Sequence, residues 1–432
     1  MNNKKEKLEI FISQNEDRPK QGSQEWLDMR TYTIGGSEIS IIMNKNPYSK
    51  IKNLIAQKLG ISEFKENIMM RWGKLFEEIS SMIAKKIFKI DTMYKLGSLD
   101  GVCHHQKYSP DDLALIDFDN LSHVDMTDKL IVLFEYKCPY YTIPSKIIPT
   151  HYLPQIKTGL CSIKPSDIGI FMNNLYRICS IKNLQYTNEY NYNFHKKDNI
   201  DFIPETPIAV GIIYIHQTNE QKKNFIEKYD CVKKDENCLN ISFDSNYDSN
   251  ISENDDSISD MDNMSISNSD NDEIECDSIL CPRYIDLEQI LYYKNSNNLY
   301  DFGDSNYFIL NELLDLVSKD MISIKYKKPI IFSDELYRTG LFNHTKSENK
   351  NNTERCIKRI ELYKKKLFKH TYENPIGIIS WKLMISDIIT VKKDEHYLDP
   401  YIDKINKVID IIHHIKSDDE DTTYKNFIKY YS

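Results

Sequence analysis

The amino-acid sequence predicts an α+β fold: a central mixed sheet flanked by helices. Three observations point there. Helical and strand-like patterns alternate from Ser23 to about Gln217. The strand candidates in that stretch are rich in β-branched and aromatic residues. A further strand-like run, Ile376–Val391, lies far downstream and is placed to complete the same sheet.

In chain order, residues 1–22 are polar and expected to be poorly ordered, apart from a short helical pattern over Lys5–Ile12. Residues 23–232 form the expected core. Helices are predicted over Ser23–Thr31, Gly36–Met43, Ser49–Leu59 and Met69–Phe88. Strands are predicted over Tyr94–Cys103, Leu130–Cys138, Asp167–Met172, Arg177–Ile181 and Ile208–His216. Residues 233–278 are dominated by Ser, Asn and Asp, too few apolar groups to offset the entropy of ordering, and are read as a disordered segment. Residues 279–432 resume a structured pattern, with helices over Tyr307–Lys319, Asn352–Thr371 and Pro400–Ile415.

The net charge of −9 is unevenly spread: Ile241–Ser278 holds twelve Asp and Glu and no Lys or Arg, so the remainder carries −9 + 12 = +3. That balance permits a basic groove for phosphates. The nine cysteines are scattered, without a CxxC pair or a secretory leader before them, which predicts a reducing intracellular setting. The most apolar stretch, Ile376–Val391, is interrupted by Lys382 and Asp387, so a soluble protein with no membrane segment is expected.

The strongest chemical signal is Leu133-Phe134-Glu135-Tyr136-Lys137-Cys138-Pro139, an apolar strand with two charges two positions apart. Side chains at i and i+2 share a face, so Glu135 and Lys137 project together. A carboxylate that holds a divalent ion beside an ammonium that positions water suits phosphodiester hydrolysis. A solvent-facing Glu/Lys pair would give the same pattern. Asp100, in Gly97-Ser98-Leu99-Asp100-Gly101, could share that ion, although Asp-Gly is also an ordinary turn. Glu77 lies on a narrow face of small residues in the Trp72-Gly73-Lys74-Leu75-Phe76-Glu77 helix, opposite its broad apolar side. Arg30 and Ser37 flank the glycines of Ile34-Gly35-Gly36-Ser37, a helix start that could cradle an anion or merely be capped. Gln155, in Tyr152-Leu153-Pro154-Gln155, opens a helix just after the Glu/Lys strand, where Pro154 is tolerated.

Taken in order, Gln24-Glu25-Trp26-Leu27-Asp28-Met29-Arg30 and the blocks just quoted resemble the lambda-exonuclease/YqaJ family of PD-(D/E)XK nucleases of phages and large DNA viruses. The resemblance spans about Gln21 to Ile181. It implies an α/β/α restriction-endonuclease-like core and a metal-dependent exonuclease acting 5′ to 3′ on duplex DNA ends. By that resemblance Glu77, Asp100 and Glu135 bind Mg²⁺ or Mn²⁺, Lys137 helps activate water, and Gln155 supports the nucleophile or phosphate. Arg30 and Ser37 receive the 5′ phosphate. The family also includes toroidal homo-oligomers and partners that anneal single strands. A structure-selective endonuclease of the same fold, or an inactive DNA-binding scaffold, are the competing readings.

Two aspartates compete for the metal site. Asp100 keeps the glycine that follows it but lacks the proline frequent in the family. Asp111, in Ser109-Pro110-Asp111-Asp112, keeps the proline, loses the glycine and lies nearer Glu135 in sequence. Asp100 is favoured because Tyr94–Leu99 can form the strand that delivers it, whereas Asp111 reads as part of a surface turn.

Overall fold

The computed structural model describes residues 2–19, 22–62, 66–117, 129–181, 184, 207–217, 300–304, 307–319, 321–331, 337–339, 358, 361–362, 375 and 377–432. Met1–Thr218 and Asn295–Ser432 make one compact unit, and residues 219–294 a second whose residues lie outside the described ones. The acidic stretch and nearly all of the helix expected over Asn352–Thr371 therefore fall outside the description.

The mixed sheet with flanking helices predicted from the sequence is what forms. Its centre is β6 (Lys129–Lys137), parallel to β7 (Ile168–Cys179) and antiparallel to β5 (Asp112–Asp117), with β2 (Met93–Tyr94) at that edge. On the other side β10 (Gly377–Lys392) lies between β7 and β8 (Ala209–Gln217), and β9 (Ile322–Tyr326) pairs with β8. Ile131 through Tyr136 are all buried, as expected of a central strand covered on both faces. The downstream run thus completes the sheet as an inserted strand rather than as an edge.

A smaller three-stranded sheet joins β1 (Ile34–Gly35), β4 (Gln106–Tyr108) and β3 (Leu99–Asp100). The single strand predicted over Tyr94–Cys103 is therefore split between two sheets, with β2 in one and β3 in the other. The strands predicted over Asp167–Met172 and Arg177–Ile181 are one continuous β7, because every residue from Ile168 to Cys179 pairs with β10.

The N-terminal stretch also differs from expectation. Asn2–Ser13 forms α1, which buries Leu8 and Ile12 and ties Lys4 Nζ to Asp167 Oδ1 at 3.0 Å. Only two apolar side chains reach the core from that polar text, which is why composition concealed the docking.

Five further helices matter for the site. These are α2 (Gln24–Arg30), α3 (Ile39–Ile42), α4 (Ile51–Lys58), α5 (Ile68–Ile87) and α6 (Leu153–Ser162). Asn67 caps α5 by accepting the Met70 N–H, and Trp72, Leu75, Phe76, Ile79 and Ile83 bury its apolar face against the sheet. Beyond α7 (Tyr307–Ser318), the C-terminal helices α8 (Ile402–Ile415) and α9 (Glu420–Tyr431) pack Ile405, Ile409, Ile412 and Phe427 into a core shared with Ile34, Ile39, Ile42 and Leu54. Tyr32 stacks on His413 with ring centroids 4.4 Å apart. The C-terminal helices thus buttress the segment that carries Arg30 and Ser37.

Candidate active site

The antiparallel pairing of β5 with β6 sets Asp112 opposite Phe134, so Asp111 reaches the strand end that bears Glu135 and Lys137. Asp111 Oδ2 accepts the Tyr136 N–H at 2.7 Å. Glu135 is fully buried; its Oε1 accepts from Lys137 Nζ at 2.5 Å and its Oε2 from the Tyr108 hydroxyl at 2.8 Å. Glu77, from α5, faces Asp111 closely enough to exchange a hydrogen bond with it.

This corner is short of positive charge. Burial, and then the Glu77 carboxylate, push the Asp111 acid well above its usual range, against the pull of Lys137 and the Tyr136 amide. Burial and the Asp111 charge raise Glu135 to about 7, although Lys137 and Tyr108 oppose them. Burial works against the Lys137 ammonium, but Glu135 and Asp111 outweigh it and raise its pKa. Lys137 is therefore a fixed cation, not a base. Its Nζ also lies 5.1 Å from the centre of the Tyr152 ring.

Tyr108 escaped the sequence reading. Its ring is wedged between Gly36 and Gly159: a Cβ at either glycine would come within 2.5 Å and 2.3 Å of it. Only glycine leaves that space. A tyrosine in a short strand carries no sequence signal for this role, which depends on two glycines more than 100 residues apart.

Asp100 does not join the cluster. It sits on β3 in the smaller sheet, about half exposed, paired with Lys107 and with Arg18 Nη2 at 2.6 Å. Those two cations hold its acid below the usual range, the Lys107 hydrogen bond most of all. The preference for Asp100 over Asp111 is thus corrected. The turn chemistry around Pro110 is real, but strand β5 begins immediately after it and carries Asp111 into the site.

One cleft gathers most of the remaining residues singled out from the sequence. Arg30, Ser37, Glu77, Asp111, Lys137 and Gln155 all line it, together with Trp26, Ser109 and Lys107. Gln155 enters from the first turn of α6, where Pro154 is accommodated. The expected helix at Gly36 is a 3₁₀ turn, Gly36–Glu38, running into the four-residue α3. Arg30 packs its guanidinium 4.6 Å from the centre of the Trp26 ring and donates Nη2–H to Glu38 Oε1 at 2.6 Å.

The acids offer hard oxygen donors of the kind Mg²⁺ and Mn²⁺ take. Among the described residues, no three carboxylate, imidazole or thiol groups close into a ready metal cage. Glu135 is turned toward Lys137 and Tyr108, while Glu77 and Asp111 line the cleft. Two mutually repelling acids open to the cleft, with a third buried behind them, fit a cation that enters with substrate.

The molecule is thus an α/β protein whose mixed sheet delivers clustered acids and a lysine to a cleft walled by a cationic loop. Residues 25–162 match the model of the YqaJ-like viral recombinase domain, and through that domain the chain belongs to this family. It is 30% identical over 232 residues to pD345L of African swine fever virus (strain Badajoz 1971 Vero-adapted), covering 49% of this chain and 65% of that protein. The counterpart from isolate Tick/Malawi/Lil 20-1/1983 gives the same identity and coverage. The chain therefore spans about 65% of the length of the curated relatives it matches. An alkaline exonuclease (LHK-Exo) from Laribacter hongkongensis aligns with 35% of this chain and 74% of its own, at 20% identity and a TM-score of 0.27. Among the described residues no helix is long and apolar enough to cross a membrane.

Proposed function

We propose that the chain is a divalent-metal-dependent deoxyribonuclease that digests duplex DNA from its ends, 5′ to 3′, in viral DNA recombination, repair or replication. The observation that carries this reading is the convergence of Glu77, Asp111, Glu135 and Lys137 at one strand end, in or directly behind a cleft that also holds Arg30, Ser37 and Gln155. The literal pattern is Pro110-Asp111 followed by Glu135-Tyr136-Lys137.

In this reading Glu77, Asp111 and Glu135 hold Mg²⁺ or Mn²⁺, which when bound would neutralise the acids and stabilise the attacking and leaving oxygens of an in-line displacement. Lys137, kept as an ammonium by Glu135 and Asp111, orients the attacking water beside the phosphodiester. The water oxygen bonds to phosphorus as the P–O3′ bond breaks. Gln155 steadies the phosphate from the first turn of α6. Arg30 and Ser37 bind the terminal 5′ phosphate, with Ser109 facing the same cleft. A guanidinium suits that task because its planar fork matches phosphate oxygens.

The test is incubation with Mg²⁺ and linear duplex DNA bearing or lacking a 5′ phosphate, beside covalently closed circles. Mononucleotide release from linear DNA, fastest with the 5′ phosphate, is expected. Cleavage of closed circles at a comparable rate would overturn the end-dependent reading.

A further inference from the structure

Arg30 is held by more than its own backbone. Its guanidinium lies on the Trp26 ring, and Nη2 is engaged by Glu38 Oε1 at 2.6 Å. Glu38 is buried, and its second oxygen, Oε2, accepts from the Gly35 N–H at 2.8 Å and from Lys58 Nζ at 2.9 Å. Lys58, whose side chain is only 4% exposed, also donates to the backbone oxygens of Arg30 at 2.8 Å and Thr33 at 2.6 Å. One buried ammonium thus ties both ends of the turn, and one buried carboxylate fixes the arginine that projects from it.

We propose that Glu38 and Lys58 are positioning residues for terminal-phosphate recognition, holding the Arg30 guanidinium by one edge so that its remaining donors meet the phosphate in the cleft. This rests on the reading of Arg30 as a phosphate ligand. Three facts favour a positioning role over simple structural filling. A charge as deeply buried as Lys58 is costly unless fully paired, and its three partners all belong to the Arg30–Glu38 segment. Glu38 leaves the rest of the fork unengaged by any described side chain, and a fork gripped on one edge loses less freedom on binding. The segment is also clamped from behind by α8 through Tyr32 and Ile34. The triad of Arg30, Lys58 and Glu38 keeps one net positive charge, which suits an anionic ligand.

The experiment measures kcat and KM of the full chain with Mg²⁺ on 5′-phosphorylated and 5′-hydroxyl duplexes, for wild type, Arg30→Ala, Glu38→Gln, Glu38→Asp and Lys58→Met. Glu38→Gln keeps the shape and removes the charge. It is expected to reduce the preference for phosphorylated ends by about 10-fold to 100-fold, the cost of misplacing a binding group, with the loss in KM. Lys58→Met should do the same if it folds, which circular dichroism checks, and Glu38→Asp should recover part of the preference. If Arg30→Ala keeps the preference, the phosphate reading of Arg30 fails. If Arg30→Ala loses it while Glu38→Gln keeps it in full, the positioning role fails and the phosphate reading stands. Equal losses on both kinds of end, with a lowered melting temperature, would make Glu38 merely structural and overturn the proposal.

Discussion

The two walls of the cleft solve their electrostatics in opposite ways. On the acidic wall Glu77, Asp111 and Glu135 repel one another, and Lys137 alone does not satisfy them, so the Asp111 and Glu135 acids are raised. On the opposite wall charges alternate, Arg30 to Glu38 to Lys58, and the same kind of burial leaves Glu38 lowered because Lys58, Arg30 and the Gly35 amide outweigh it. One wall is complete by itself, and the other awaits a cation. Burial raises a carboxylic acid's pKa only until opposite charges are supplied.

The largest expected effect lies on the acidic wall. Glu135→Ala should abolish metal-dependent DNA cleavage, a loss on the order of 10³-fold or more, because several kcal/mol of charge stabilisation at the reacting phosphate go with it. Lys137→Ala should reduce the rate strongly while leaving metal affinity nearly intact. Single-turnover cleavage and isothermal titration with Mn²⁺ separate the two, and wild-type activity in Glu135→Ala would break the comparison outright.

Next in size is a stability change of opposite sign. An acid raised in the folded state favours folding at low pH, and that contribution is lost as pH rises from the ordinary carboxylate range through the raised value, about 7 for Glu135. Without divalent ions, Asp111→Asn should therefore melt a few degrees higher than wild type at pH 8, with the gap closing toward pH 4. The amide still accepts the Tyr136 N–H and can donate to Glu77. Scanning calorimetry across that range in EDTA checks it. A variant less stable than wild type at pH 8 would mean that the acids are not in mutual repulsion.

A smaller effect is expected at Tyr108. Its hydroxyl holds Glu135 lower than burial alone would, so Tyr108→Phe should move the acidic limb of the pH–rate profile upward and slow cleavage by about tenfold, the scale of one hydrogen bond to a charged group. An unmoved limb would remove Tyr108 from the site.

The strand bearing Glu135 and Lys137 was legible because two charges two positions apart stand out in an otherwise apolar run, where burying them is costly unless they are paired. Glu77, Arg30, Ser37 and Gln155 were legible as candidates, and they line one cleft. Asp111 was misjudged for a physical reason: Pro-Asp-Asp is sound turn chemistry, and only the pairing of Asp112–Asp117 with Lys129–Phe134 reveals that a strand starts there. Tertiary pairing overrode the local signal. Glu38 and Lys58 gave no signal at all, since a buried Glu–Lys pair 20 positions apart depends on how α4 packs against the Arg30–Glu38 segment. The seat of Ile376–Val391 between β7 and β8 is likewise a long-range fact, beyond any local pattern.

The central claim, that the acidic wall is built on Asp111 rather than Asp100, is tested most directly by two single substitutions. Asp111→Ala and Asp100→Ala are assayed side by side for Mg²⁺-dependent digestion of linear duplex DNA, with folding checked by circular dichroism. The expected result is a folded Asp111→Ala protein with no measurable cleavage and an Asp100→Ala protein that retains activity within about tenfold of wild type, since it loses only a half-exposed ion pair to Arg18 and Lys107. A dead Asp100→Ala beside an active Asp111→Ala would contradict the account.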